Sequence, residues 1–281
     1  MAILPPLEYI DGVLAGNRAM LARAITLVES TCPEHQEIAG QVIEACLPHA
    51  VDSRRLGITG VPGAGKSTFI EALGTHLTHM KNERVAVLAV DPTSPLTGGS
   101  ILGDKTRMPQ LSSHPLAFVR PSPSGHTRGG VSGNIRDVIA LCEAAGFTNI
   151  FIETVGVGQA EAAVASVTDV FLLLLLGGAG DELQAMKRGI LELAHLVVIN
   201  KADGTNVAAA NRARAQYESA LRMFPFGPEV RTCSALYGEG IETIWENITA
   251  YLEQARSSGE FAEKRREQAR AAMYDAIEQE L

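Results

Sequence analysis

The fold class follows from residues 56–68, which read LGITGVPGAGKST. A short apolar run leads into the motif G-x-x-x-x-G-K-[ST], and a helical pattern comes next, which is the strand–loop–helix setting of a phosphate-binding loop. Glycines allow backbone N–H groups to turn inward around a phosphate, and the following helix adds its positive N-terminal end. We therefore expect a nucleoside triphosphate here, with Lys66 on its β- and γ-phosphates and the Ser67 hydroxyl on Mg²⁺. The predicted contact residues are Gly60, Val61, Pro62, Gly63, Ala64, Gly65, Lys66, Ser67 and Thr68.

Short apolar runs alternate with helical patterns along most of the chain. The runs lie at residues 56–59, 85–90, 116–119, 150–153, 170–176, 196–200 and 230–233. Several are apolar throughout, as strands buried on both faces require. Repeated strand–helix–strand units predict an α/β fold with a mostly parallel sheet and helices on both sides. Residues 91–133, rich in Pro, Gly, Ser and Thr, interrupt this pattern with a long irregular segment of the kind that is usually functional or mobile.

The same patterns divide the chain into three parts. Residues 1–53 predict an N-terminal helical segment, residues 54–256 the nucleotide-binding domain, and residues 257–281 a C-terminal helix. An apolar stripe on that last helix fits packing onto the chain's own domain, and it equally fits an arm that completes a dimer. The stripe consists of Phe261, Ala269, Met273, Ile277 and Leu281.

Composition excludes several classes of protein. The 281 residues are 46% hydrophobic and 20% charged, a globular balance that argues against disorder. A formal net charge of −8 argues against nucleic acid or an anionic membrane as the main partner. The four cysteines stand far apart, so neither a disulfide framework nor a zinc site is indicated. No apolar run is long enough to span a bilayer and no signal peptide is visible, so we expect a cytoplasmic protein.

A second motif indicates which nucleotide binds. Residues 196–203 read LVVINKAD and place N-K-x-D at the end of a buried strand. The Asp203 carboxylate can accept hydrogen bonds from N1–H and the 2-amino group of guanine, and adenine offers neither donor. Asn200 is expected to brace the base-recognition loops, and the stem of Lys201 to cover one face of the base. The stretch after Cys233 is similar to the guanine-contacting segment of GTPases, so GTP is favoured over ATP; its residues are Ser234, Ala235 and Leu236.

Carboxylates that follow other strands are candidates for the metal site. Glu153 occupies the metal-facing position after the run at 150–153, and Gly156 can offer its N–H to the γ-phosphate. Asp91 ends the buried run at 85–90 beside the loop, and Asp104 lies on the polar segment further along. Hard oxygen ligands on loops near phosphates suit octahedral Mg²⁺. Asp104 fits a helix cap or a solvated loop position as well as a metal site.

Four longer motifs resemble the methylmalonyl-CoA mutase-associated GTPases, formerly labelled arginine/ornithine transport kinases. They read DPTSP at 91–95, TGGSILGDKTRM at 97–108, ETVGVGQ at 153–159 and GAGDELQ at 178–184. The resemblance implies a homodimeric P-loop GTPase of the class that includes signal-recognition and metallochaperone GTPases (SIMIBI class). It also implies a partner, an adenosylcobalamin-dependent acyl-CoA mutase whose cofactor loading the GTPase gates and which it protects or reactivates.

The same resemblance carries particular roles onto this sequence. It places the magnesium-associated acids at Asp91, Asp104 and Glu153. It places a mobile loop, which couples nucleotide state to the mutase, at about residues 177–188, where Lys187 joins Lys66 and Glu153 as a candidate catalytic residue. Without the family, the start of this segment is typical of an amphipathic helix with acids at its N-terminus.

The residue that positions the attacking water is not assigned by the sequence. No Gln directly follows Gly156, and stabilising charge for phosphoryl transfer has several candidate sources. We expect slow intrinsic turnover that the partner accelerates. The nearest alternative is a metallochaperone GTPase for metal-centre insertion, but the close pair His76 and His79 is more typical of ordinary helix residues. The candidate cations are Lys105, Arg107, Arg128 and Lys187.

Overall fold

Parallel strands build the sheet that carries the phosphate-binding loop. The computed structural model describes residues 3–91, 107–123, 130–154, 160–177, 188–222 and 227–280. Within these residues the strands are β1 (Arg54–Gly60), β2 (Val85–Asp91), β3 (Ala117–Pro123), β4 (Asn149–Thr154), β5 (Val170–Leu176), β6 (Leu196–Asn200) and β7 (Glu229–Thr232). Their order is β3-β2-β4-β1-β5-β6-β7, and every neighbouring pair is parallel. The predicted α/β fold with a mostly parallel sheet is confirmed.

Helices cover both faces of this sheet. They are α1 (Pro6–Leu14), α2 (Arg18–Val28), α3 (Pro33–Cys46), α4 (Lys66–Met80), α5 (Pro109–Ser113), α6 (Gly130–Ala144), α7 (Ala160–Ala165), α8 (Arg188–Leu193), α9 (Val207–Leu221), α10 (Ile241–Ser258) and α11 (Glu260–Glu280). Short 3₁₀ turns lie at Leu47–His49 and Gly204–Asn206. No helix among the residues described is long and apolar enough to cross a membrane.

The strands are apolar at successive positions because both faces of the sheet are buried. In β2, Ala86 and Leu88 belong to a core shared with α1, α2, α3 and α6. Their neighbours Val85 and Val87 point to the opposite core, which α4 and α10 close. Successive side chains of a strand alternate between faces, so a strand covered on both sides has to be apolar at nearly every position.

The N-terminal helices form a layer on one side of this domain. Helices α2 and α3 pack against α6, and α1 packs against both of them. Tyr9, Val13, Leu21 and Ile25 are fully buried in this layer, and each lies at helical spacing from its neighbours on the same helix. The Asn17 side chain caps α2 by accepting hydrogen bonds from the N–H groups of Ala19 and Met20.

The irregular segment contains more regular structure than its composition predicts. Strand β3 begins within the predicted run but extends to Pro123, and the short helix α5 precedes it. In register, Pro121 and Pro123 lie opposite Ala89 and Asp91 of β2. Because β3 is the last strand on its side of the sheet, prolines are tolerated there: the N–H that each lacks is not required by a second neighbour.

Helix α11 is anchored to the domain by polar contacts. The Arg265 guanidinium donates to both carboxylate oxygens of Asp169, at 2.6 and 2.8 Å, and to the carbonyl of Ser53 at 3.0 Å. Arg136 and Asp275 form a further ion pair at 3.0 Å. The helix therefore packs onto its own domain, as one of the two alternatives predicts. Three apolar side chains near its end are nevertheless exposed, namely Met273, Tyr274 and Ile277.

We expect Arg265→Leu to lower the free energy of unfolding by roughly 3 kcal/mol. The substitution leaves the carboxylate of Asp169, whose side chain is 2% exposed, without its cationic partner. Urea titration followed by circular dichroism measures the effect. Arg266→Leu is the matched control, because the next side chain is 64% exposed and pairs only within its own helix; a loss below ~0.5 kcal/mol is expected there. Equal losses in both variants would contradict this role for Arg265.

A half-buried histidine predicts a pH-dependent stability. Burial and the nearby Lys264 charge lower the pKa of His195 to about 4. In the unfolded chain the ordinary value near 6.5 applies, so the unfolded state holds more protons between these two values. The free energy of unfolding should therefore rise with pH across this window, by roughly 1–3 kcal/mol. Urea titrations from pH 4 to 7 measure this slope, and His195→Gln should flatten it. Parallel slopes in the two proteins would contradict the prediction.

Candidate functional site

The phosphate-binding loop lies at the carboxyl edge of the central strand. Strand β1 pairs with β4 on one side and β5 on the other, and α4 begins directly after the loop. The strands are parallel, so the ends of β2, β4 and β6 reach this same edge. Open α/β sheets bind their ligands at such an edge. The strand ends at Asp91, Thr154 and Asn200, where three of the sequence motifs begin or run, therefore lie at this edge.

Two glycines of the loop occupy positions where no other residue fits. Gly65 has a φ of 85°, and a Cβ there would lie 2.7 Å from the Asn200 Nδ2. A Cβ at Gly60 would lie 2.2 Å from the carbonyl oxygen of Leu174. Both spacings are closer than van der Waals contact permits. The loop therefore turns tightly and presents its backbone to a ligand.

The Lys66 side chain folds back over the loop that would surround a phosphate. Its Nζ donates to the carbonyl oxygen of Gly60 at 2.7 Å and approaches that of Val61 at 3.4 Å. Burial lowers the pKa of Lys66, whereas the carboxylates of Glu153 and Glu161 act in the opposite direction. Arg107 lowers this pKa further, which places its charge within electrostatic reach of the loop. The ammonium therefore lies where a phosphate would bind, with its charge only partly offset.

The Ser67 hydroxyl meets the carboxylate that ends β4. Ser67 Oγ donates to Glu153 Oε1 at 3.2 Å, and Glu153 is only 9% exposed. A hydroxyl and a carboxylate beside a phosphate loop are the hard oxygen ligands that Mg²⁺ prefers, so this pair fits the metal predicted here. Asp91 ends β2 at the same sheet edge, and only its backbone is described. The predicted site residues Asp104, Gly156 and Lys187 lie outside the described residues.

Asn200 joins the phosphate side of the site to the base side. Its Nδ2 donates to the carbonyl oxygen of Ala64 at 2.8 Å. Its Oδ1 accepts from the N–H of Ala235 at 3.1 Å and from the thiol of Cys233 at 3.4 Å. Both ends of one amide are therefore used, with the side chain 2% exposed. The bracing role of Asn200 stays a prediction, which these contacts support, and the thiol contact is an addition that the sequence does not reveal.

The predicted guanine contacts gather around the same asparagine. The Ser234 hydroxyl donates to Asp203 Oδ2 at 2.6 Å. Lys201 is exposed and has a φ of 58°, and its carbonyl accepts from Asn206 Nδ2 at 2.6 Å. Leu236 is 71% exposed at the rim of the site. The arrangement offers a carboxylate and an alkyl stem on neighbouring loops, which suits a purine with hydrogen-bond donors.

One residue near the loop was not singled out from the sequence. Glu161 lies at the start of α7, is 2% exposed, and acts on the charge of Lys66. The motif ETVGVGQ ends two residues before it, and the sequence around it gives no sign that its charge acts on Lys66. Among the four candidate cations, Arg107 is the one within the described residues, and it too acts on Lys66.

The sequence model described as "Methylmalonyl Co-A mutase-associated GTPase MeaB" matches residues 21–281. The chain belongs to the MeaB family. A probable GTPase of Mycobacterium tuberculosis is 52% identical over 270 residues, which cover 93% of this chain and 80% of that protein. The mouse mitochondrial methylmalonic aciduria type A homolog is 45% identical over 285 residues, covering 96% of this chain and 68% of that protein.

Solved structures agree with this assignment. The crystal structure of an LAO/AO transport system kinase superposes with a TM-score of 0.83 at 39% identity, covering 100% of this chain and 86% of that one. The MeaB-family protein described here is thus a P-loop GTPase that binds guanine nucleotide, and it is related to proteins that are associated with methylmalonyl-CoA mutase.

Proposed function

We propose that this MeaB-family protein hydrolyses GTP with Mg²⁺ as a chaperone of an adenosylcobalamin-dependent acyl-CoA mutase of the methylmalonyl-CoA type. In this role it gates the loading of cofactor and protects or reactivates the mutase, in the cytoplasm. The observation that carries the nucleotide part is the Asn200 amide, which contacts both the phosphate loop and the segment expected to read guanine. The family match over residues 21–281 supports the mutase as partner.

The residues divide between binding, metal holding and catalysis. The bound nucleotide would be held by the phosphate loop, Gly156, Asn200, Lys201, Asp203 and the segment of Ser234, Ala235 and Leu236. Mg²⁺ would be held by Ser67 and Glu153, with Asp91 and Asp104 beside them. The metal would neutralise charge that develops on the phosphate oxygens. Of the proposed catalytic residues Lys66, Glu153 and Lys187, the first two lie in the described residues.

The contacts of Lys66 support its proposed role in phosphoryl transfer. Its ammonium is held by the carbonyl oxygen of Gly60 at 2.7 Å, and an incoming phosphate would replace this neutral acceptor with an anionic one. An ammonium is attracted more strongly to an anion than to a neutral carbonyl oxygen, so the exchange favours the bound triphosphate. The site fixes the ammonium beforehand, and electrostatic stabilisation by fixed charges is a large contribution to catalysis.

A homodimer is part of the proposal. Near the end of α11, Met273 is 53% exposed, Tyr274 61% and Ile277 48%, whereas Phe261 at its start packs against the core. A second copy that covers this apolar face would explain why the stripe continues past the contacts with the chain's own domain. Sedimentation of the wild type and of Tyr274→Glu measures it. We expect a dimer that the variant weakens, and a monomeric wild type would overturn the proposal.

Nucleotide-dependent binding to a mutase tests the partner. The purified protein is loaded either with GDP or with a non-hydrolysable GTP analogue. Each form is then titrated calorimetrically with an adenosylcobalamin-dependent acyl-CoA mutase, which measures the affinity for the mutase in each nucleotide state. We expect the affinity for the mutase to differ between the two nucleotide states. Only such a difference lets GTP hydrolysis shift the equilibrium between the free and the bound mutase. Absence of binding in both states would overturn the partner and leave metal-centre insertion as the alternative.

A further inference from the structure

A buried carboxylate beside the phosphate loop stands out within the described part of the chain. Glu161 is 2% exposed, and neither of its carboxylate oxygens has a hydrogen-bond partner among the residues described. Two other buried acids that the structure describes are paired. Glu143, 4% exposed, accepts from the Ser53 hydroxyl and the Arg55 guanidinium, and Asp169 pairs with Arg265. The contrast sets Glu161 apart from these paired acids among the residues that the structure describes.

Its position ties this carboxylate to the nucleotide site. Helix α7 packs against β1, which leads into the phosphate loop, and against β4, which ends with Glu153 and Thr154. The negative charge of Glu161 raises the pKa of Lys66, as that of Glu153 does. Two carboxylates therefore act on the single ammonium of the loop, and one of them also accepts a hydrogen bond from Ser67.

The charge of Glu161 limits which chemical groups can pair with it. A buried ionised carboxylate without a partner costs several kcal/mol, and native proteins leave such groups mainly where a ligand, ion or water satisfies them. An ionised carboxylate only accepts hydrogen bonds. The phosphates of a nucleotide are also anionic acceptors, so they would repel Glu161 rather than pair with it. The group that satisfies it must carry polarised hydrogens, which describes water bound to a divalent cation.

We propose that Glu161 accepts hydrogen bonds from the water shell of the Mg²⁺ held at Ser67 and Glu153. This makes it a positioning residue for the metal rather than a direct ligand, and the inference rests on the Mg²⁺-dependent GTPase proposed above. Mg²⁺ keeps several of its waters when it binds proteins together with phosphates. Mutation of outer-shell partners of a bound metal typically lowers its affinity by roughly 10–100-fold.

The Mg²⁺ dependence of GDP binding tests this role without relying on turnover. Affinity for a fluorescent GDP analogue is measured by anisotropy at Mg²⁺ concentrations set with EDTA, for the full chain, Glu161→Gln, Ser67→Ala and Glu143→Gln. The nucleotide-free thermal midpoint is recorded for each. In Glu161→Gln we expect a roughly tenfold rise in the Mg²⁺ concentration that produces half of the Mg²⁺-dependent change in GDP affinity. Affinity without Mg²⁺ should be unchanged.

The thermal midpoint separates positioning from a structural role. Glu161→Gln should leave the nucleotide-free midpoint unchanged or higher, because a buried charge without a partner is removed. Glu143→Gln, an equally buried acid at the other end of β1, should lower the midpoint and leave the Mg²⁺ dependence alone. An unchanged Mg²⁺ dependence in Glu161→Gln would overturn the inference. If turnover alone fell, the residue would instead face the attacking water.

The Ser67→Ala variant distinguishes a failure of the role inferred for Glu161 from a failure of the proposed Mg²⁺ site. A weakened Mg²⁺ dependence in Ser67→Ala, with none in Glu161→Gln, would overturn only the role of Glu161. A wild-type protein whose GDP affinity does not respond to Mg²⁺ would overturn the metal site and the inference with it.

Discussion

Asp203→Asn is expected to lower the affinity for GTP by at least about a hundredfold and to create binding of xanthosine triphosphate. Guanine offers two donors, N1–H and the 2-amino group, to a carboxylate. An amide in its place presents one acceptor and one donor, so one of the two donors of guanine meets another donor. Hydrogen bonds to charged groups contribute about 1.5–3 kcal/mol each, and about 3 kcal/mol corresponds to more than a hundredfold in affinity.

Xanthine reverses the mismatch because it carries a carbonyl where guanine carries the 2-amino group. In the Asp203→Asn variant the new amide nitrogen would donate to that oxygen, while the amide oxygen can keep the contact with the Ser234 hydroxyl, which is 2.6 Å long in the wild type.

Equilibrium binding of fluorescent GTP, ATP and xanthosine triphosphate analogues measures this change of specificity. Asp203→Ala is the matched control, since it should lose GTP without gaining the xanthine nucleotide. Undiminished GTP binding in Asp203→Asn would contradict guanine recognition by this carboxylate.

Lys66→Met is expected to reduce single-turnover GTP hydrolysis roughly a thousandfold. The substitution keeps the length of the stem but removes the ammonium, which now lies 2.7 Å from the carbonyl oxygen of Gly60. Charge that develops on the phosphate oxygens would then lose a fixed cation in a partly buried site. Burial already lowers the pKa of Lys66, so loss of its charge should not destabilise the nucleotide-free fold.

Rapid-quench measurements of bound GTP, at saturating protein, separate this loss from weaker binding. Lys81→Met is the matched control, because Lys81 follows the last residue of the same helix, is exposed, and lies a full helix length from the loop. Its hydrolysis rate should equal that of the wild type. A Lys66→Met protein that hydrolyses GTP at a similar rate would show that another cation carries the reaction.

The fold was predictable because its signals are local. The loop glycines and the apolar run before them specify a strand, a turn and a helix in adjacent residues, and β1 and α4 begin and end close to those limits. Asn200 and Ser67 lie far apart in the sequence, yet their motifs each end or follow a strand. Parallel strands place their carboxyl ends at one edge, so the meeting of these motifs follows from topology.

Other features depend on contacts that no local pattern encodes. The extension of β3 to Pro123 is possible only because this strand has one neighbour, which is a property of the whole sheet. The isolation of Glu161 depends on which groups surround α7, and an acid two residues after a glycine-rich motif looks like a solvated position in the sequence. The thiol contact of Cys233 with Asn200 likewise requires β6 and β7 to be neighbours.

The most direct test of the central claim is GTP turnover by the purified protein, alone and with an adenosylcobalamin-dependent acyl-CoA mutase, with ATP as the control nucleotide. We predict slow turnover of GTP alone, clear stimulation by the mutase, and no turnover of ATP in either condition. GTP turnover that no such mutase changes would contradict the chaperone role while leaving the GTPase intact.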